Sequence, residues 1–241
     1  REIRQMERPE EHPPVLESLR EGFQYAVRTP LVLWCLVLLG GIAAFGFNFQ
    51  ILLPLFATHT LHLDADGYGA LFAVMGVGSL AGSLTLAIMR HRRAIPLMLV
   101  GGVVFSLLLV AIAASSSLWL AALLILAAGF SSMLMINTIN ATVQANVTDA
   151  LRGRVMSFYV TVFAGSAPLG GLFAGFVAEH WGTPAAFVAG AVLSLATVAI
   201  VALGLRWAGR RGSLGVTTLD TSSERPGEPS RAAEARPSAA R

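Results

Sequence analysis

The chain has 241 residues, of which 55% are hydrophobic and only 13% charged, with a formal net charge of +3. Residues 1–28 hold 11 charges and residues 206–241 another 11, leaving 9 for the 177 residues between. A soluble domain carries about a quarter charged residues, so a soluble globular domain and a disordered chain are both excluded, and a polytopic membrane protein remains.

Residues 1–14 are polar and contain proline, which reads as a linker. From 15 to 28, Val15, Leu19, Phe23 and Val27 recur every four residues, with Glu17, Arg20, Glu21 and Arg28 between them. That spacing predicts an amphipathic helix, lying either along the membrane interface or against other segments at that end. Six apolar runs follow, at about 30–56, 67–89, 94–114, 118–147, 155–177 and 184–205. Each is long enough to span a bilayer as a helix, which needs about 20 residues. The runs hold no Asp, Glu or Arg and do not alternate, so they are helices rather than barrel strands. Pro30 and Pro184 suit first helical turns. Asp64 or Asp66 is placed to cap the second span, and Thr148 or Asp149 the fifth. Residues 208–241, rich in Ser, Pro, Glu, Arg and Ala, read as a disordered tail.

All 17 basic residues are arginine. Eight of them flank the spans on one side, in connections 90–93 and 148–154 and just after the last run, and none lies in connections 57–66, 115–117 or 178–183. The positive-inside rule makes the arginine side cytoplasmic, with both termini there. The basic excess therefore speaks for topology, and no nucleic-acid partner is expected. Cys35 is the single cysteine and sits in an apolar run, so no intrachain disulfide forms. His59, His62, Asp64 and Asp66 have metal-ligand chemistry, but Asp at a helix start is a capping residue. No metal or cofactor is expected. No nucleophile–base pair or phosphate loop is visible, which argues against an enzyme.

Polar residues within spans are costly unless paired. Asn137, Asn140 and Gln144 fall on one face of the fourth span. The two asparagines either line a pathway or bond between helices; Gln144 is expected to bond to the 148–154 connection. In the first span, Phe45, Asn48, Phe49, Leu52 and Phe56 share a face of a continuous helix, with Gln50 pointing elsewhere. Phe45, Asn48 and Phe49 are candidates to line a site for a bulky amphipathic ligand. Gly78 with Gly82, and Gly171 with Gly175, are small-xxx-small pairs for close helix contact. Pro168 is expected to bend the fifth span. Arg152 and Arg154 either pair with Asp149 or with helix carbonyls to stabilise one state, or serve only as topology signals.

Three stretches resemble the C-terminal half of a major facilitator superfamily transporter, in the branch of enterobactin exporters and macrolide-efflux proteins. They are Leu16 to Tyr25, then Phe47-Asn48-Phe49 with Pro54-Leu55-Phe56, and above all Gln144 to Gly175, which joins Asp149-Ala150-Leu151-Arg152-Gly153-Arg154 to Pro168-Leu169-Gly170-Gly171. The resemblance covers residues 15–207. It implies an all-α six-span half built from two inverted three-helix repeats, a missing N-terminal six-span half, a substrate site between the halves, and a bacterial inner-membrane location. It also implies secondary active export of drug-like or siderophore-like small molecules. Gly165 to Gly171 resembles the family's antiporter motif and reads either as a flexible element or as static packing. Gly82 to Arg93 occupies the place of the superfamily's loop motif but lacks its usual Asp. This half carries no charged residue and no His in any of the six runs, so a coupling carboxylate for proton antiport is expected in the N-terminal half. Other readings are a non-transporting anchor or assembly partner, and the membrane domain of an ATP-driven exporter, although the chain has no P-loop.

Overall fold

The computed structural model describes residues 15–89 and 94–211. The expected linker at 1–14, the arginines of 90–93 and residues 212–241 of the expected tail lie outside the described residues, while residues 208–210 of that tail are helical, the end of the last helix. The described chain is helical throughout. Its elements are α1 (Val15–Arg28), α2 (Pro30–Phe45), α3 (Phe49–His59), α4 (Ala65–Ile88), α5 (Ala94–Ala113), α6 (Leu118–Ala145), α7 (Asp149–Trp181) and α8 (Thr183–Arg210). Six spans are long and apolar enough to cross a bilayer, with α2 and α3 together forming the first.

Local chemistry sets several ends. Asp64 Oδ1 accepts the Gly67 N–H at 3.0 Å, capping α4. Thr148 stands at the N-cap of α7 but makes no side-chain cap bond. Gly182 joins α7 to α8 at φ +85°, a left-handed conformation that favours glycine. Trp119 and Trp181 lie exposed at one end of the bundle, and Trp207 at the other, as interfacial aromatic belts require. α7 begins six residues before the expected run and extends past it to Trp181, because Asp149 to Arg154 forms helix although it is too polar to count as span.

The first span corrects the expectation of one continuous helix. Gly46 N–H and Phe47 N–H both donate to the Ile42 carbonyl, at 2.8 and 3.0 Å. The ladder slips there, and α3 restarts at Phe49. Gly46 and Asn48 are too few to lower the hydropathy of so long an apolar run, so composition does not report the slip.

The packing repeats in two halves. α4 packs on α6 as α7 packs on α2, and α5 packs on α6 as α8 packs on α2, while α5 and α8 pack on each other. These are the contacts that two inverted three-helix repeats produce when the first span exchanges with the fourth, the second with the fifth and the third with the sixth. Two pairings depart from the pattern: α7 and α8 pack on each other, whereas α4 and α5 barely touch, and α3 packs on α4, whereas α6 and α7 make no comparable contact. Phe56, Phe105, Phe187, Leu53, Met98 and Ile112 are among the largest wholly buried side chains of the shared core.

Candidate functional site

The break in the first span sits inside the half and is held on every side. Asn48 Nδ2 donates to the Ala44 carbonyl at 2.9 Å and the Phe45 carbonyl at 3.4 Å, the acceptors the slipped ladder leaves behind. Gly170 of α7 and Gly190 of α8 bring neighbouring backbones against the same region. A side-chain carbon at Gly170 would overlap the Ala44 carbonyl, and one at Gly190 the Phe45 carbonyl. Freed backbone groups at membrane depth need such partners, because hydrocarbon supplies none.

This geometry redistributes the aromatic face expected on the first span. The break turns α3 relative to α2, so the five residues share no single face. Phe49, Leu52 and Phe56 are buried, and Phe49 packs on Phe105 and Phe187 with ring centroids 6.2 and 6.0 Å apart. Asn48 is only 5% exposed. Phe45 alone stays half-buried, meeting Phe173 edge-on at 5.5 Å. The exposed residues at the start of α3 are Gln50 and Ile51; Gln50 was legible as a mid-span amide.

The amides of α6 are brought together as a ladder. Asn137 Nδ2 donates to Ser83 Oγ of α4 at 3.0 Å. Asn140 accepts from Gln144 Nε2 and lies beside the Tyr159 side chain of α7. Gln144 is exposed and bonds within α6, which corrects its expected bond to the 148–154 connection. Asn146 reaches that end instead: its carbonyl accepts the Tyr25 hydroxyl of α1 at 3.1 Å, and its Nδ2 donates to the Thr142 carbonyl. Ser83, Tyr159 and Asn146 were each visible as polar groups in or near spans, but no spacing rule pairs residues across 54 positions.

Among the described residues, the arginine-bearing end has two ion pairs. Arg152 meets Asp149 at 2.7 Å, both exposed. Arg154 pairs with Glu21 of α1, both more than a third exposed. Gly22 of α1 fits against the Arg154 carbonyl, where a side chain would press on it. α1 is therefore docked on α7 and α2. The docked side carries buried Gly22 and Ala26, while Phe23 and Val27 of the expected apolar stripe stay exposed.

The glycine pairs divide by register. A side chain on Gly78 or Gly82 would overlap the Leu126 or Phe130 carbonyl of α6, and Gly129 faces the Met75 carbonyl of α4 in return. On α7 the close approach is made by Gly170 with buried Ala174. The expected pair is thus one residue out of register: Gly171 would meet only the tip of Ile51, and Gly175 has nothing near it. Gly165 likewise faces open space, and Pro168 is exposed. α7 runs through Pro168, which leaves the Ala164 carbonyl without its usual donor.

A family model described as "Transmembrane secretion effector" matches residues 1–210. The chain belongs to this major facilitator family. The chain is 29% identical over 174 residues to the enterobactin exporter EntS of Citrobacter koseri, covering 68% of the chain and 40% of the exporter. It thus spans about two fifths of the length of the curated relative it matches. No solved structure matches. As a member of a transporter family with six candidate spans among its described residues, the chain is a multi-pass membrane protein.

Proposed function

We propose that this chain acts as the C-terminal half of a secondary exporter, moving a drug-like or siderophore-like compound by alternating access with an N-terminal six-span half. The observation that carries this reading is the uneven covering of the spans. Some 56% of the most apolar window of the first span is buried, against 22% for α4 and 11% for α7. The two open helices are the second members of the two repeats. They leave one side of the bundle unfinished at the ends of the Asn137–Ser83 and Asn140–Tyr159 contacts, where a cavity between two halves belongs.

On this reading Phe45, Gln50, Asn137 and Asn140 line the pathway, while Asn48 and Phe49 form the frame behind it. Arg152 with Asp149 and Arg154 with Glu21 brace the cytoplasmic ends of the bundle in the state seen here. The arginine-rich end faces the cytoplasm of a bacterial inner membrane, with both termini on that side. Proton coupling falls to a titratable residue of the other half. A non-transporting anchor would need no polar ladder ending at an open face.

The test is export by the chain joined to an N-terminal half. Cells carrying both halves are expected to accumulate less of a fluorescent amphipathic dye or catecholate than cells with either half alone, and a protonophore is expected to abolish the difference. Equal accumulation in all three, with both halves confirmed in the membrane, sinks the proposal.

A further inference from the structure

Among the described residues, the outer side of α1 is largely uncovered. Its inner side is fully engaged, through Gly22 on the Arg154 carbonyl, Tyr25 on the Asn146 carbonyl and Glu21 on Arg154. Outside, Phe23 is 51% and Val27 49% exposed, with Arg20, Gln24 and Arg28 exposed around them. Phe23 touches Phe158 only edge-on, at 5.7 Å between centroids.

Connectivity fixes the depth of this face. α1 ends at Arg28 and the first span starts at Pro30, so Val27 and Phe23 lie within about two turns of the hydrocarbon boundary. Trp207 is exposed at the same end, with Arg211 stacked 3.5 Å over its ring, a residue type that collects at headgroup depth.

The charges at this end are one-sided. Both of its described acidic side chains, Glu21 and Asp149, are taken by Arg154 and Arg152. Arg20, Arg28, Arg206, Arg210 and Arg211 are exposed and meet no carboxylate among the described side chains. Guanidinium groups bind phosphate oxygens in pairs of hydrogen bonds. Here arginines bracket two apolar side chains on a helix lying at the boundary, as in helices held at a lipid surface.

We propose that α1 is an anionic-phospholipid-binding helix, with Phe23 and Val27 set among acyl chains and Arg20 and Arg28 on headgroup phosphates. The proposal rests on the membrane placement of the six spans and not on transport.

Val27→Cys makes the test possible, because Cys35 is wholly buried and stays unlabelled. The full chain carrying a nitroxide at position 27 is reconstituted in phosphatidylcholine vesicles, with and without phosphatidylglycerol. Collisions with oxygen, which prefers lipid, are compared with those of a water-soluble nickel chelate. Phosphatidylglycerol is expected to lower access of the chelate several-fold, and Arg20→Gln with Arg28→Gln to remove that difference. A label as open to the chelate with the anionic lipid as without it overturns the proposal. So does a label closed to both reagents once an N-terminal half is present, since protein then covers the face. A second label at Val192 of α8, 58% exposed, reports the span itself. If that label too is open to water, the membrane placement has failed rather than the lipid contact.

Discussion

At the residue scale, two polar groups with opposite roles meet at the break in the first span, Asn48 within it and Ser194 of α8 beside it. Asn48 satisfies two carbonyls, so Asn48→Ala leaves them bare in a dry setting and is expected to cost about 1–2 kcal/mol. Ser194 is the counter-case. Ser79, Ser106, Thr142, Ser166 and Thr197 all return their hydroxyls to the carbonyl four residues back. Ser194 Oγ is wholly buried and has no partner. It stands where a side-chain carbon on Gly46 would come within 2.9 Å. Ser194→Ala removes an unmet polar group and is expected to leave stability unchanged or raised by up to about 1 kcal/mol. Thermal unfolding of the two variants in one detergent compares them directly. A Ser194→Ala loss as large as that of Asn48→Ala would mean that the hydroxyl is bonded after all. Asn48 stood out in the sequence as a mid-span amide needing a reason. The reason, a slipped ladder, was hidden because its cause lies in backbone geometry that hydropathy does not record.

At the element scale, what was legible depended on whether one segment or two decide the feature. Span number and an Asp cap on α4 follow from single segments and read through directly, with the structure choosing Asp64 over Asp66. The register of α7 did not: Gly170 and Gly171 are equally small, and only the position of α2 selects Gly170 as the contact. The α1–α7 latch was less legible still, since Glu21 and Arg154 are 133 residues apart. These contacts make separable predictions. Gly82→Leu drives a side chain into the Phe130 carbonyl, where backbone must move, and is expected to cost about 3 kcal/mol or to prevent assembly. Gly165→Leu enters open space and is expected to leave the melting temperature of this chain within a degree or two, a change well under about 0.5 kcal/mol. The latch is half-exposed, so its electrostatic worth is about 0.5–1 kcal/mol. Glu21→Arg alone puts like charges together and is expected to raise proteolysis of the segment before α2. Adding Arg154→Glu is expected to reverse that increase. No rescue by the double exchange would show that Gly22 and Tyr25 dock α1 without the ion pair.

At the scale of the molecule, the glycines show which surfaces are finished. Gly78, Gly82, Gly129, Gly170 and Gly190 each face a backbone of this chain, whereas Gly153 and Gly165 of α7 face nothing. Those two stand in line with exposed Ser157 and Thr161 at four-residue steps, a strip narrow enough for another helix to approach at backbone distance. Lipid would not need such a strip, because branched side chains contact acyl chains equally well. An N-terminal half packed there is expected to shield the strip while leaving the far side of the bundle open. Single cysteines at Thr161 on α7 and Leu107 on α5, both exposed, separate the two sides. Cysteine at 107 is expected to react with a membrane-permeant maleimide at the same rate whether or not the other half is present. Cysteine at 161 is expected to react several-fold more slowly when it is. Equal slowing at both positions would place the partner around the whole bundle, and no slowing at 161 would leave the strip of α7 to lipid and remove the main support for a two-half exporter.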